Sequence, residues 1–168
     1  YEEEFIELRV LNQGSTFSAR LKYHMEREEL LVIKSLHEYN CESQKLLQRE
    51  IQNYSEIKCY FIPIFYGVVY GNNYPVIEFI NGETLDSKEL NLEYEDKITI
   101  IFQLLTYIYC LHKNKFVYRD LKPNNVIIDE FKRVFLIDFD RMIKYDVIRN
   151  DDMFTCDFSS KFMAPEAF

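Results

Sequence analysis

The chain has 168 residues, enough for one average domain, and 48% of them are apolar, so it can bury a core. Its formal net charge of −8 argues against a general affinity for nucleic acid or anionic membrane, because phosphate contacts need basic surface. Four glycines and four prolines exclude collagenous or linker-like character.

The acidic start Tyr-Glu-Glu-Glu-Phe is not a signal peptide. The longest apolar stretch, residues 98–111, is interrupted by Gln103 and Thr106 and is shorter than the ~20 apolar residues a bilayer needs. No membrane insertion is expected. A soluble intracellular protein is, in the cytoplasm or with the nucleus open. Cys41, Cys59, Cys110 and Cys156 form no C-x-x-C pair, and no His stands at metal-ligand spacing. They are expected to be small buried hydrophobes in a reducing compartment. The chain does not begin with Met, as a piece of a longer protein would not.

Residues 5–11 alternate in character and read as a strand, followed by the turn residues Asn12-Gln13-Gly14-Ser15. Residues 17–23 and 29–36 read as two more strands around a charged tip. Over residues 43–57, Leu46, Leu47, Ile51, Tyr54 and Ile57 fall at helical spacing. Two β-rich segments, 61–70 and 74–80, flank Gly71-Asn72-Asn73, and Asn81-Gly82 breaks the pattern. Residues 95–112 predict a helix with Ile98, Ile101, Leu105 and Ile108 on one face. Short strands are expected at 126–128 and 134–137, and the remainder to residue 168 is polar and irregular. A β-rich part followed by a helical part implies an α+β class with two lobes, residues 1–80 and 81–168.

Residues 118–125 read Tyr-Arg-Asp-Leu-Lys-Pro-Asn-Asn, and residues 138–140 read Asp-Phe-Asp after a short apolar run. This sets a carboxylate, a lysine and an amide on one short loop, with a second carboxylate downstream. Phosphoryl transfer from a magnesium nucleotide needs that set: one carboxylate orients the attacking hydroxyl, an amide and a carboxylate hold metal, and a cation neutralises the moving phosphate. The stretch resembles the catalytic loop of eukaryotic protein kinases, of the Ser/Thr type, and the motif is too long for a chance match.

The resemblance extends both ways along the chain. Lys34, in Leu31-Val32-Ile33-Lys34, and Glu50, a carboxylate on the apolar face of the 43–57 helix, resemble the ion pair that positions the nucleotide phosphates. The family's G-x-G-x-x-G-x-V falls on Asn12, Gly14, Phe17 and Ala19, with only the middle glycine kept, and the spacing from Gly14 to Lys34 matches without a gap. Asn12 tolerates positive φ, whereas Phe17 is bulky where a glycine is usual. Val32 belongs to the nucleotide site by the same alignment. Ile77 aligns with the gatekeeper, and Glu78 to Ile80 with the hinge that bonds adenine through its backbone.

By this resemblance Asp120 is the catalytic aspartate, Lys122 the lysine on the γ-phosphate, and Asn125 and Asp138 the metal ligands. Tyr118 packs the loop, and Arg119 pairs with a phosphorylated activation segment. Thr155 falls at the activating phosphosite. Ser159 takes the place of the threonine that contacts the catalytic aspartate and lysine. Ala164-Pro165-Glu166 resembles the motif that closes the segment. Asp140 replaces a glycine and adds negative charge near the metal. The implied cofactors are ATP and Mg2+, or Mn2+, and the implied partner is a protein substrate with a Ser or Thr acceptor. The resemblance stops two residues past Glu166, so a fragment ending midway through the helical lobe is expected. The alternative function is a pseudokinase scaffold, favoured by the degenerate glycine loop and Asp140. A small-molecule kinase of related fold is disfavoured by Lys122 together with Ala164-Pro165-Glu166.

Overall fold

The computed structural model describes residues 4–14 and 16–145. It divides into two compact units: residues 1–55 with 63–80, and residues 56–62 with 81–168.

The first unit is built on five antiparallel strands: β1 (Phe5–Gln13), β2 (Phe17–His24), β3 (Glu29–Leu36), β4 (Phe65–Val68) and β5 (Pro75–Glu78), in the order β1-β2-β3-β5-β4. Opposed residues in an antiparallel pair point to the same face, and alternate residues share it. Leu31, Ile33 and Val76 therefore face one way. They form a buried cluster with Val69, against which Phe5, Tyr66 and Tyr74 pack. The turn between β4 and β5 reverses direction through Gly71 and Asn73, whose φ values of 100° and 55° favour small or amide side chains.

Helix α1 (Cys41–Glu56) starts on a reciprocal pair: Ser43 N–H donates to Asn40 Oδ1 at 2.8 Å, and Asn40 N–H donates to Ser43 Oγ at 3.1 Å. These bonds satisfy donors that a helix N-terminus otherwise leaves open. Its buried stripe runs through Leu47, Glu50 and Tyr54, and Tyr54 stacks on Phe65 with ring centroids 5.7 Å apart.

The second unit centres on α2 (Tyr94–Lys113), with β6 (Gly82–Thr84), β7 (Phe116–Val117), β8 (Val126–Asp129), β9 (Val134–Leu136) and β10 (Ile143–Lys144). Strands β6, β8 and β9 form one small sheet in that order, and β7 pairs with β10 in another. Gly82, expected only to break a pattern, is where β6 crosses β8 closely. A Cβ there would lie 2.4 Å from the Ile128 carbonyl oxygen, so only glycine fits.

Helix α2 buries Ile100, Tyr107 and Leu111, while Ile98, Ile101 and Leu105 stay at least half exposed. The stripe identified by periodicity is thus a second apolar face, not the one turned to the unit's interior. On the buried side the Gln103 amide joins α2 to β9: Nε2 donates to Lys132 O at 2.8 Å, and Oε1 accepts from Val134 N–H at 3.1 Å. Burial pushes the Tyr107 phenol up to about 12.

The cysteine expectation needs correction. Cys59 and Cys110 form a disulfide with Cα atoms 6.4 Å apart, tying the segment before β4 to α2. Cys41 is free and exposed, and Cys156 lies outside the described residues. Sequence spacing had no means to reveal the pair, because the two cysteines are 51 positions apart.

Candidate active site

In the first unit, strand register decides which residues meet. Ala19 lies opposite Lys34, Leu21 opposite Val32, and Val32 opposite Ile77. Ala19, Val32, Lys34 and Ile77 consequently share one face of the sheet, the reverse of the Leu31–Ile33–Val76 cluster. Four of the residues assigned to nucleotide binding from the sequence are thus gathered on one surface.

Lys34 Nζ donates to both carboxylate oxygens of Glu50, at 2.6 and 2.8 Å. The Lys34 side chain is 10% exposed and that of Glu50 is fully buried. A buried carboxylate on an apolar helix stripe needs such a partner, since the charge alone would be costly to desolvate. The Phe17 ring centroid is 4.9 Å from the same ammonium.

The described glycine-loop positions lie at the ends of β1 and β2, just past a register shift between Val10 and Asn12. Asn12 pairs with Ala19 and Gln13 with Ser18, and Gly14 N–H donates to Phe17 O at 2.9 Å. Asn12 takes no positive φ, so the tolerance noted from the sequence is not used. Glu78 N–H donates to Ile64 O at 2.8 Å, and the Glu78 carboxylate accepts from Ile64 N–H at 3.0 Å, committing this hinge residue to the sheet. Ile80 is buried.

In the second unit the 118–125 loop is stretched between β7 and a short helical turn, Pro123–Asn125, that leads into β8. Asp120 is buried, and its Oδ2 accepts from Lys122 Nζ at 2.8 Å and from Asn125 Nδ2 at 2.9 Å. Asn125 Nδ2 also donates to the Asp120 carbonyl at 3.0 Å. The Asp-x-Lys-x-x-Asn spacing therefore closes into a ring of polar contacts around a single carboxylate.

The Asp138 segment is fastened to this loop. Ile137 N–H donates to Asn125 O at 3.1 Å, and Tyr118 Oη donates to Ile137 O. Tyr118 meets Phe139 edge-on at 5.6 Å, and Phe139 has no exposed surface. Beyond them Ile143 pairs with Val117 and Lys144 with Phe116, so β7 and β10 clamp the two motif segments from outside. Two-residue strands carry no readable periodicity, so this clamp was not legible before the structure.

Arg119 and Asp138 both adopt left-handed backbone, at φ 69° each. A non-glycine residue there costs about 1–2 kcal/mol and persists where the surroundings over-determine it. Glu28, Asn73, Lys115 and Lys132 take the same backbone outside the two motif segments. Asp140, which replaces a glycine, takes no positive φ and is buried. Thr155, Ser159 and Ala164-Pro165-Glu166 lie outside the described residues.

The fit to a magnesium nucleotide can be judged from the donor set. Asn125 spends its amide nitrogen on Asp120, so its carbonyl oxygen is the atom that would face a metal, and Asp138 would supply a carboxylate. Hard oxygen donors suit Mg2+, which takes one or two protein ligands and completes its shell with phosphates and water. Among the described residues there is no cluster of three or more His, Cys, Asp or Glu that would form an all-protein cage. The residues present fit the group.

The family model of the protein kinase domain matches residues 5–168. The chain belongs to the protein kinase domain family. Its fold class is accordingly the α+β protein-kinase fold. Among curated proteins it is similar to a RasGEF domain-containing serine/threonine-protein kinase X of Dictyostelium discoideum, 31% identical over 56% of this chain and 10% of the relative. It is similar to the dual specificity protein kinase zak2 of the same organism, 28% identical over 84% of this chain and 22% of the relative. It also resembles the mouse ribosomal protein S6 kinase alpha-6, 27% identical over 97% of this chain and 22% of that protein. The chain thus spans less than a quarter of the length of each of these relatives. Among the described residues no helix is long and apolar enough to cross a membrane.

Proposed function

We propose that this chain carries the nucleotide and catalytic-loop machinery of an active protein kinase that transfers the γ-phosphoryl group of ATP to a Ser or Thr hydroxyl of a protein. The observation that carries the reading is the Asp120 carboxylate gripped by Lys122 and Asn125. Asp120 accepts a hydrogen bond from the substrate hydroxyl and aims its oxygen. Lys122 neutralises charge on the transferred group. Asn125 and Asp138 would hold Mg2+, which when bound would shield the phosphate oxygens. The Lys34–Glu50 pair keeps an ammonium directed at the nucleotide phosphates, and Ala19, Val32 and Ile77 offer an apolar surface for the base. Lys122, the hydroxyl of Ser159 and the name of the serine/threonine-protein kinase X relative support Ser/Thr acceptors, while the zak2 relative is named a dual specificity kinase. Arg119 and Thr155 are assigned to regulation, the arginine receiving a phosphate placed on the threonine. The site of action is intracellular, where ATP is available.

A pseudokinase is the second reading, and the Phe17 ring on the Lys34 ammonium favours it, since it fills space that phosphate would take. Incorporation of labelled phosphate into a generic basic protein, with Asp120→Asn and Asp138→Ala as controls, separates the two. An active kinase loses transfer in both variants. Nucleotide binding without transfer in the parent protein indicates the scaffold.

A further inference from the structure

We infer that Phe17 is an aromatic gate on Lys34, which weakens binding of nucleotides that carry phosphates while leaving binding of the nucleoside portion untouched. The inference rests on the kinase reading and adds a selectivity element to the same site.

The geometry follows from strand register. Ala19 lies opposite Lys34 and Phe17 opposite Leu36, so Phe17 is the diagonal cross-strand neighbour of Lys34 on the same face. A diagonal neighbour is within reach of an aromatic side chain, and the ring centroid stands 4.9 Å from Nζ. Glu50 holds the same ammonium at 2.6 and 2.8 Å. The ammonium therefore has a carboxylate and an aromatic face as neighbours, and little of the side chain reaches water. A phosphate approaching Lys34 must displace the ring or share the ammonium with it.

The backbone beneath the ring is fixed. Phe17 O accepts from Gly14 N–H at 2.9 Å, and Thr16 O accepts from His37 N–H at 3.1 Å, which continues the β2–β3 ladder to the hairpin tip. With these bonds kept, opening is a side-chain rotation of Phe17. Glycine at this position would take the ring away from the ammonium, and an aliphatic side chain would fill space without attracting the cation. The ring does both: its face attracts the ammonium, and its bulk covers it.

The test compares Mg-ATP, Mg-ADP and adenosine binding by calorimetry in the parent protein, Phe17→Ala and Phe17→Leu. A lost cation–π contact corresponds to ATP binding about three- to tenfold tighter in both variants, with adenosine unchanged. Acetylation of Lys34 by acetic anhydride, read by mass spectrometry without nucleotide, should be faster in Phe17→Ala. Phe17→Leu keeps the test alive if Phe17→Ala folds poorly. ATP affinity unchanged in both variants, ATP and adenosine shifting together, or unchanged acetylation of Lys34 in Phe17→Ala overturns the gate. ATP bound equally by all three proteins sinks the gate alone, whereas ATP bound by none of them sinks the kinase reading and the gate with it.

Discussion

The Lys34–Glu50 pair gives the sharpest test of how the first unit is held together. Both oxygens of a fully buried carboxylate are within 2.8 Å of an ammonium whose side chain is 10% exposed. At an effective dielectric near 20, opposite charges about 3 Å apart attract by roughly 5–6 kcal/mol, and most of this is offset by the cost of taking both from water. The net worth of the pair is therefore small. Breaking it on one side is a different matter. Glu50→Ala leaves an ammonium without its carboxylate and should cost about 3–5 kcal/mol. At 2–4 °C per kcal/mol for a chain of this size, that is a drop of roughly 10 °C in Tm. Lys34→Met should cost a similar amount by stranding Glu50. The double variant Lys34→Met/Glu50→Leu removes both charges and should recover most of the loss, giving a coupling of about 3 kcal/mol. Urea unfolding followed by far-ultraviolet circular dichroism measures all four proteins, and the absence of Trp makes this preferable to fluorescence. Additive losses in the double variant, or a Glu50→Ala cost below about 1 kcal/mol, would refute the account of a desolvated pair.

Asp138→Ala should abolish phosphate transfer while leaving adenosine affinity within about twofold, because it removes the proposed metal ligand and none of the residues proposed for the base; unchanged transfer removes Asp138 from the site. Reducing the Cys59–Cys110 bond, or Cys110→Ser, should lower stability by about 4 kcal/mol, the chain-entropy value for a loop of this length. Equal melting with and without reductant, after peptide mapping has confirmed the bond, contradicts that figure. Because burial raises Tyr107 to about 12, the folded state holds its proton after the unfolded phenol, near 10, has released its own. Stability should be intact below pH 10 and fall between pH 10 and 12, less steeply in Tyr107→Phe; identical alkaline profiles would remove Tyr107 as a cause. The exposed face of α2, with Phe102 at 73% and Leu105 at 64% exposure, should bind an apolar dye and promote self-association of residues 1–168. Leu105→Lys should reduce both, and no change would show that another patch is responsible.

Most strands and both helices were legible in the sequence, since alternation and 3–4 spacing are local. The 95–112 periodicity recovers α2 (Tyr94–Lys113) to within a residue at each end, and residues 29–36 match β3 (Glu29–Leu36). The grouping at 118–125 was legible too: Asp120, Lys122 and Asn125 fall within six residues, so one short loop has to hold them together. The expected partnership of Lys34 and Glu50 came from a charge on an apolar stripe, a local signal of a distant need.

Long-range placement was decided by the tertiary structure. Register put Phe17 beside Lys34, because a shift by one residue would have turned its ring to the other face of the sheet. Periodicity showed that α2 is apolar on more than one side, but only packing chose Ile100, Tyr107 and Leu111 for burial over Ile98, Ile101 and Leu105. The glycine at 82 has meaning only against the Ile128 carbonyl, and Cys59 finds Cys110 only once α2 is in place. The β7–β10 clamp joins residues 116–117 to 143–144, and its two-residue strands are too short to announce themselves. Sequence alone settles what a segment does with its neighbours a few residues away; which of its faces meets which distant residue is settled when the whole chain competes for the same buried volume.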